Sequence, residues 1–180
     1  TGGIHQIILT DLHRVDRCTT CHLAIDKPAL ALGVQPFTAH PGEHVKFHPP
    51  EKFGCTVCHG GQGLATEAQA AHGEIEHWEE PLLRGPLVQA SCYKCHGDLT
   101  PIESHVPQLT QGITLYKQLG CAGCHAVQGF GQTVSLDLSE MGHKPWQLLD
   151  FTFVEGDHRL SQWVSEHFKE PRKITPGFRS

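Results

Sequence analysis

Cysteine and histidine recur in this sequence at a spacing that suits covalent chemistry on a porphyrin. Two cysteines separated by two residues and followed at once by a histidine occur four times, at residues 18–22, 55–59, 92–96 and 121–125. Two thiols at this spacing can reach the two vinyl groups of one haem, and the histidine is then held against one face of its iron. The sequence therefore predicts four covalently bound haem c groups. The predicted attachment residues are Cys18, Cys21, Cys55, Cys58, Cys92, Cys95, Cys121 and Cys124, and the predicted proximal iron ligands are His22, His59, His96 and His125.

Two other uses of cysteine compete with this interpretation. Pairs of cysteines two residues apart bind zinc in many structural sites, and an exported chain can use eight cysteines as a disulfide framework. Neither use explains a histidine directly after every second cysteine. Because the four motifs consume all eight cysteines, the repeated pattern favours haem.

Histidines outside the motifs are the candidates for the second axial position of each iron. The chain has 15 histidines, so eleven remain after the four in the motifs. Neutral imidazole is a common metal ligand, and this surplus favours haems with two histidine ligands. For the first, second and fourth motifs, the residue 22 positions after the first cysteine is a histidine, namely His40, His77 and His143. His48 precedes two prolines, which would hold it rigidly. The predicted distal ligands are His40, His48, His77 and His143, with His72, His105, His5 and His13 as further candidates.

Two of these assignments stay open in the sequence. Either His72 or His105 could serve the third haem. For the fourth haem, His143 is favoured over Met141, the only methionine of the chain. His167 falls on the apolar stripe of a predicted helix, where we expect packing or a hydrogen bond in the core rather than iron ligation.

Composition indicates a thin protein core. Four haems in 180 residues leave about 45 residues for each, only 38 % of residues are hydrophobic, and 19 glycines and 12 prolines interrupt regular structure. We therefore expect a mainly α-helical chain with extensive irregular loops and little or no sheet, wrapped around its four haems.

Charge and hydropathy exclude two classes of partner. The formal net charge is −5 and the basic residues are scattered, which argues against nucleic acid. No apolar run approaches the roughly 20 residues that a membrane-spanning helix needs, so we expect no membrane span in this chain.

Local patterns suggest four regions. We expect an N-terminal arm at residues 1–17, a three-haem module at 18–99, a linker at 100–109 and a single-haem domain at 110–180. The apolar spacing of the arm favours a short amphipathic helix, although its β-branched residues allow a strand.

Helix signals recur further along the chain. Residues 66–71 read as a helical turn that stops at His72 and Gly73, and Pro86 can open a helix before the third motif. Thr110 can cap a helix that leads into the fourth motif. An amphipathic helix is predicted from Leu160, with Asp157 as its cap and Pro171 as its end.

On these residues the chain resembles bacterial multihaem c-type cytochromes. The segments RVDRCTTCHLAID, HPPEKFGCTVCHGGQG and AHGEIEHWEEPLL ahead of CYKCH are similar to a three-haem module of respiratory cytochromes. The segments GITLYKQLGCAGCHAVQGFG, LDLSEMG and SQWVSEHF are similar to a class I cytochrome c domain. Such domains normally carry a methionine ligand after the P-G of a segment like ITPGFRS, and no methionine stands there. The sixth ligand of the fourth haem therefore remains His143, Met141 or a residue of a neighbouring subunit.

The resemblance implies electron transfer rather than catalysis. We expect an extracytoplasmic respiratory carrier or complex subunit, or the subunit of an extracellular filament in which His5 or His13 completes a neighbour's haem. Its partners would be redox proteins, extracellular electron acceptors or further copies of the chain. The alternative is a multihaem oxidoreductase with an open position at the fourth haem. Because haem is attached covalently outside the cytoplasm, we expect a periplasmic or extracellular protein whose leader has been removed.

Overall fold

The computed structural model describes residues 3–76, 78, 80–156 and 158–174, without the side chains of His143 and Trp146. Short helices and turns dominate this part of the chain, and strands form two small hairpins. The expected mainly helical chain with little sheet is confirmed at this level. The chain divides into two compact units, Thr1–Leu115 and Tyr116–Ser180. No helix among the described residues has both the length and the apolar character needed to cross a bilayer.

The N-terminal arm folds into a β-hairpin, so of the two predicted alternatives the strand is present and the amphipathic helix is not. Strand β1 (Ile7–Leu9) pairs antiparallel with β2 (Arg14–Asp16), with Ile8 opposite Val15. The two outer residues of β1 are buried and Ile8 is exposed. This alternation has the period of two that characterises a strand. The turn between the strands closes through His13, which has a left-handed φ of 50°.

The remaining regular structure is mostly short. The α-helices are α1 (His44–Phe47), α2 (Pro50–Phe53), α3 (Thr56–His59), α4 (Ala68–Ala71), α5 (Pro107–Gln118), α6 (Leu160–Lys169) and α7 (Pro171–Ile174). The 3₁₀ helices cover Thr10–Leu12, Cys18–Thr20, Pro28–Leu30, Gly85–Lys94, Thr100–His105, Cys121–Gly123, Met141–His143 and Trp146–Leu148. A second hairpin, β3 (Ala126–Val127) with β4 (Phe130–Gly131), follows the fourth motif.

Most of the predicted helices form. Helix α4 ends before His72 and Gly73, and Pro86 lies in the first turn of the 3₁₀ helix Gly85–Lys94, which leads into the third motif. Helix α6 begins at Leu160 as predicted. Its suggested cap, Asp157, lies outside the described residues.

The segment ahead of the fourth motif is more regular than predicted. Helix α5 begins at Pro107, so Thr110 lies inside the helix rather than capping it. The region expected to be a linker contains a 3₁₀ helix and the first turn of α5. Proline is well suited to the first turn of a helix because its missing N–H has no partner there.

Each unit has a small apolar core. The buried apolar residues of the first unit are Ile7, Leu9, Ala24, Ala39 and Val106, and those of the second are Ala126, Leu149, Val154 and Ile174. Many large apolar side chains are exposed. The described protein atoms alone therefore bury little apolar surface for a chain of this length.

Candidate haem sites

All four cysteine motifs adopt the same local turn. The backbone N–H of each motif histidine donates to the carbonyl of the first cysteine, with N···O distances of 3.0, 2.9, 2.9 and 3.0 Å in chain order. The N–H of the second cysteine donates to the same carbonyl at 3.1 to 3.3 Å. One helical turn thus carries both thiols and the imidazole in every motif.

Each motif histidine has a second imidazole beside it. We call the second residue its partner histidine. The ring centres are 6.4 Å apart for His22 and His72, 6.0 Å for His59 and His40, 6.0 Å for His96 and His48, and 6.5 Å for His125 and His167. Every partner comes from outside the motifs, and each motif has a different one.

Burial separates these eight histidines from the others. All eight rings of the four pairs are half-buried. The remaining histidines whose side chains the structure describes are exposed, namely His5, His13, His44, His105 and His158. Pairing and burial therefore select the same residues.

The four pairs fit an iron between the rings. A metal–imidazole nitrogen bond is about 2 Å long and the ring centre lies roughly 1 Å beyond the nitrogen, so two rings on opposite sides of one metal have centres about 6 Å apart. The observed separations of 6.0 to 6.5 Å agree with this value. The residues of all four motifs thus suit a haem with two histidine ligands.

Backbone carbonyls orient several of these rings. The Nδ1 atoms of two motif histidines lie near carbonyls, His59 at 3.4 Å from Leu83 and His125 at 2.8 Å from Leu136. Two partner histidines show the same arrangement, His40 with Pro41 O at 2.8 Å and His48 with His44 O at 3.2 Å. Iron-binding histidines commonly donate one ring N–H to a carbonyl, which leaves the other nitrogen for the metal.

Burial also keeps several of these imidazoles neutral. It lowers the pKa of His22, with further lowering by His72 and His59. Burial likewise lowers the pKa of His40 and of His167. A neutral ring has an unprotonated nitrogen, which is the form that binds a metal.

A tryptophan positions the partner ring of the fourth motif. Trp163 and His167 are one turn apart on α6, and their rings stack with centres 5.2 Å apart and planes 8° apart. The indole N–H of Trp163 donates to Asp150 O at 2.9 Å. The Nδ1 atom of His167 is buried without a hydrogen-bond partner in the described structure. The stack agrees with the packing that the sequence predicts for His167, whereas Nδ1 does not make the predicted hydrogen bond.

Apolar side chains next to the candidate ligands are exposed. Leu23 follows His22 and is 57 % exposed, and Leu119, two residues before Cys121, is 74 % exposed. Phe168, the neighbour of His167, is 73 % exposed. Bound porphyrins would provide apolar surface to cover such side chains.

The predicted distal ligands fall into different environments. His48 lies beside the third motif and His72 beside the first. His40 lies beside His59 in the second motif, whereas the 22-residue spacing associates it with the first. His77 and the side chain of His143 lie outside the described residues.

In the described ring contacts, the other candidate histidines do not lie beside a motif histidine. His105 faces His44 with ring centres 6.1 Å apart, and both are exposed. His5 lies in the N-terminal arm, where its Nδ1 is 2.6 Å from Thr19 Oγ1 of the first motif. His13 is exposed at the tip of the β1–β2 hairpin.

One further residue joins the first two motifs. Asp16 is fully buried, and its carboxylate accepts hydrogen bonds from the backbone N–H groups of Cys18 at 3.0 Å, Cys55 at 2.7 Å and Thr56 at 2.9 Å. This residue is not among those predicted from the sequence, where it reads as a surface aspartate between Val15 and an arginine. An available signal was its position two residues before Cys18, where aspartate often accepts a local backbone hydrogen bond.

The second motif lies next to both the first and the third. One oxygen of Asp16 and the sulfur atoms of Cys18 and Cys55 all lie within 4.8 Å of one another. On the other side, Ser91 donates through its hydroxyl to Cys58 O at 2.7 Å. Burial raises the pKa of the Cys58 thiol, and the nearby thiols of the third motif raise it further. The second motif therefore adjoins both the first and the third.

Comparisons with protein-family models, curated protein sequences and solved structures give no significant match to this chain. The candidate sites therefore rest on the sequence motifs and on the geometry of the described residues.

Proposed function

We propose that this protein transfers electrons through four covalently attached haems, each with two histidine ligands from the same chain. The observation that carries the proposal is the set of four imidazole pairs, each joining one motif to one histidine elsewhere at 6.0 to 6.5 Å. The proposed axial ligands are His22 with His72, His59 with His40, His96 with His48, and His125 with His167.

The ligand pairs favour electron transfer over catalysis. A bound haem supplies single-electron chemistry between ferric and ferrous iron. Two imidazoles of the protein would occupy both axial positions, so no position remains for a substrate. The alternative, an oxidoreductase with an open position at the fourth haem, requires His167 to stay away from the iron, whereas its ring is beside His125.

The adjacency of the motifs supports a relay within the first unit. The thiols of Cys18 and Cys55 would carry different haems and lie within 4.8 Å of each other. Cys58, in the second motif, is close to the third. We infer that electrons pass between the first and third haems by way of the second.

A metal–thiolate site is the second candidate, because Asp16, Cys18 and Cys55 could together hold a metal ion. Metal binding requires deprotonated thiols. The hydrogen bond with Cys55, burial and the charge of Asp16 all raise the pKa of Cys18. The cluster offers three ligand residues within the described part of the chain, whereas structural zinc sites use four, and this difference favours haem attachment over zinc.

The proposed setting follows from covalent haem attachment. We place the protein in the periplasm or at the cell exterior, exchanging electrons with redox proteins or extracellular acceptors. Because four imidazole pairs come from the chain itself, a self-contained carrier or complex subunit is favoured over a filament that shares ligands through His5 or His13.

Mass spectrometry and electron paramagnetic resonance test the proposal together. We expect the denatured chain to retain four haem masses, because the linkage is covalent, and the native oxidised protein to show four low-spin haems at every protein concentration. A chain without haem would contradict the proposal. A haem that becomes high-spin on dilution would instead show that a neighbouring subunit supplies a ligand.

A further inference from the structure

Asp16 differs from the other described acidic residues because its side chain is completely buried. Burial works against its negative charge, but three backbone hydrogen bonds outweigh burial and the pKa of Asp16 lies below its ordinary value. The carboxylate therefore carries its charge at neutral pH between two attachment cysteines.

The surrounding backbone is shaped for this carboxylate. Gly54, directly before Cys55, has φ +65°, and a Cβ there would lie 2.9 Å from Asp16 Oδ2 and 2.6 Å from Leu9 Cδ1. Only glycine permits both this conformation and this close approach. The neighbouring Arg17 binds Gln6 through its Nε at 2.9 Å and also donates to Leu64 O.

We propose that Asp16 is a positioning residue shared by the first and second haems, and that its fixed negative charge lowers the reduction potential of both. Its two oxygens hold the first cysteines of the two motifs, so the two attachment turns have a common anchor. A negative charge stabilises ferric relative to ferrous iron, because the oxidised form has the additional positive charge. This inference rests on the proposed function and adds to it a determinant of two particular potentials.

Asp16→Asn tests both parts of the proposal in the haem-loaded protein. Asparagine has the same size but no charge, and its NH₂ group would face the N–H of one motif instead of accepting from it. Asp26→Asn is the matched control because Asp26 is exposed beside Lys27. Asp16→Glu, which keeps the charge, is a second variant. The readouts are the haem mass on each motif peptide and the four reduction potentials from spectroelectrochemistry.

We expect Asp16→Asn to keep four haems and to move two of the four potentials to more positive values. Asp26→Asn should leave all four reduction potentials unchanged. The potentials of Asp16→Glu should lie closer to those of the native protein than the potentials of Asp16→Asn do. Loss of haem from the first and second motifs alone would also support the positioning role. Unchanged potentials with four haems bound, an equal shift of all four, or haem loss from every motif would overturn the inference.

The haem content of the native protein distinguishes a failure of this inference from a failure of the proposed function. If its denatured chain carries no haem, the proposed function fails. If it carries four haems and Asp16→Asn changes none of them, only the role of Asp16 fails.

Discussion

Histidine residues of this chain occur in two environments that predict different effects of mutation. His40 is half-buried beside the motif residue His59. His44 is four residues away and its ring centre is only 6.0 Å from that of His40, yet it is exposed. These neighbours therefore separate the effect of a proposed iron ligand from the effect of a nearby imidazole.

Replacing His40 by alanine should open one axial position. We expect one haem per chain to become high-spin and to bind carbon monoxide when reduced, whereas three stay low-spin. His44→Ala is the control and should leave all four low-spin. Magnetic resonance of the oxidised form and carbon monoxide titration of the reduced form measure the change. Equal carbon monoxide binding by both variants would contradict the ligand assignment.

Trp163 should stabilise ligation at the fourth haem through its stack on His167. An aromatic stack contributes about 1 kcal/mol, so Trp163→Leu should raise the population with His167 dissociated roughly fivefold. Ser165→Ala, at an exposed position of the same helix, is the control. The rate of carbon monoxide binding to the reduced protein reports this population. The stack has no such role if both variants bind at the native rate.

The motif residues could be predicted from sequence because their chemistry depends on local spacing. Three of the four partners, His40, His48 and His72, were among the predicted distal ligands, but their assignment to particular motifs could not be predicted, since loop paths decide which rings meet. His72 is 50 residues from His22 in sequence, and His40 precedes the motif that it faces. Asp16 was missed because two of its three hydrogen bonds reach residues 39 and 40 positions away.

Among the elements, the turn after the second motif is closely surrounded by backbone. Gly60 follows His59 with φ +67°, and a Cβ there would lie 2.9 Å from Pro81 O. Gly97 holds the same position after His96, but nothing lies within 4 Å of its Cβ position. The two glycines are therefore equivalent in the motif and different in their surroundings.

Gly60→Ala should destabilise the protein by at least about 1–2 kcal/mol, because a left-handed residue with a side chain costs this much before any clash with the backbone. Gly97→Ala should change stability by less than about 0.5 kcal/mol, as exposed substitutions usually do. Denaturant unfolding of the haem-loaded protein, followed in the haem absorption band, measures both. Equal changes in the free energy of unfolding would mean that the backbone around Gly60 accommodates a Cβ without an energetic penalty.

The hairpin of the arm illustrates why helix and strand were hard to separate from sequence. Apolar residues at positions 4, 7, 8 and 12 match a helical period, whereas only Ile7 and Leu9 show the alternate burial of a strand. The pairing that decides between them is with β2, whose residues carry no strong strand signal of their own. A three-residue strand is too short for periodicity to resolve.

At the scale of the whole molecule, the two compact units should respond separately to haem loss. The first contains three adjoining motifs, and the second contains the fourth motif with its partner on α6. The apolar cores of both units are small. Haem binding is therefore expected to contribute to the stability of each unit by itself.

Removing the cysteines of one motif tests whether the two units respond separately to haem loss. Cys55→Ala with Cys58→Ala should perturb the first and third haems as well as the second, because the second motif adjoins both of the others. Cys121→Ala with Cys124→Ala should leave three haems with native spectra. Haem mass per peptide and the magnetic resonance spectrum of each variant measure the result. Three undisturbed haems in both variants would show that the motifs mature without influence on one another.

In the proposed extracytoplasmic setting, the hydrogen bonds of Asp16 would also determine the order in which the first two sites are completed. A chain exported N-terminus first would present Asp16 and Cys18 first, and Cys55 only 39 residues after Asp16, about 130 Å of extended chain. The attachment machinery would meet the first motif while its anchor still lacks two of its three partners. Under the proposed extracytoplasmic setting, the first site would reach its final geometry only after the second has been translocated, and an export pause between them would leave the first site without two of the hydrogen bonds of Asp16.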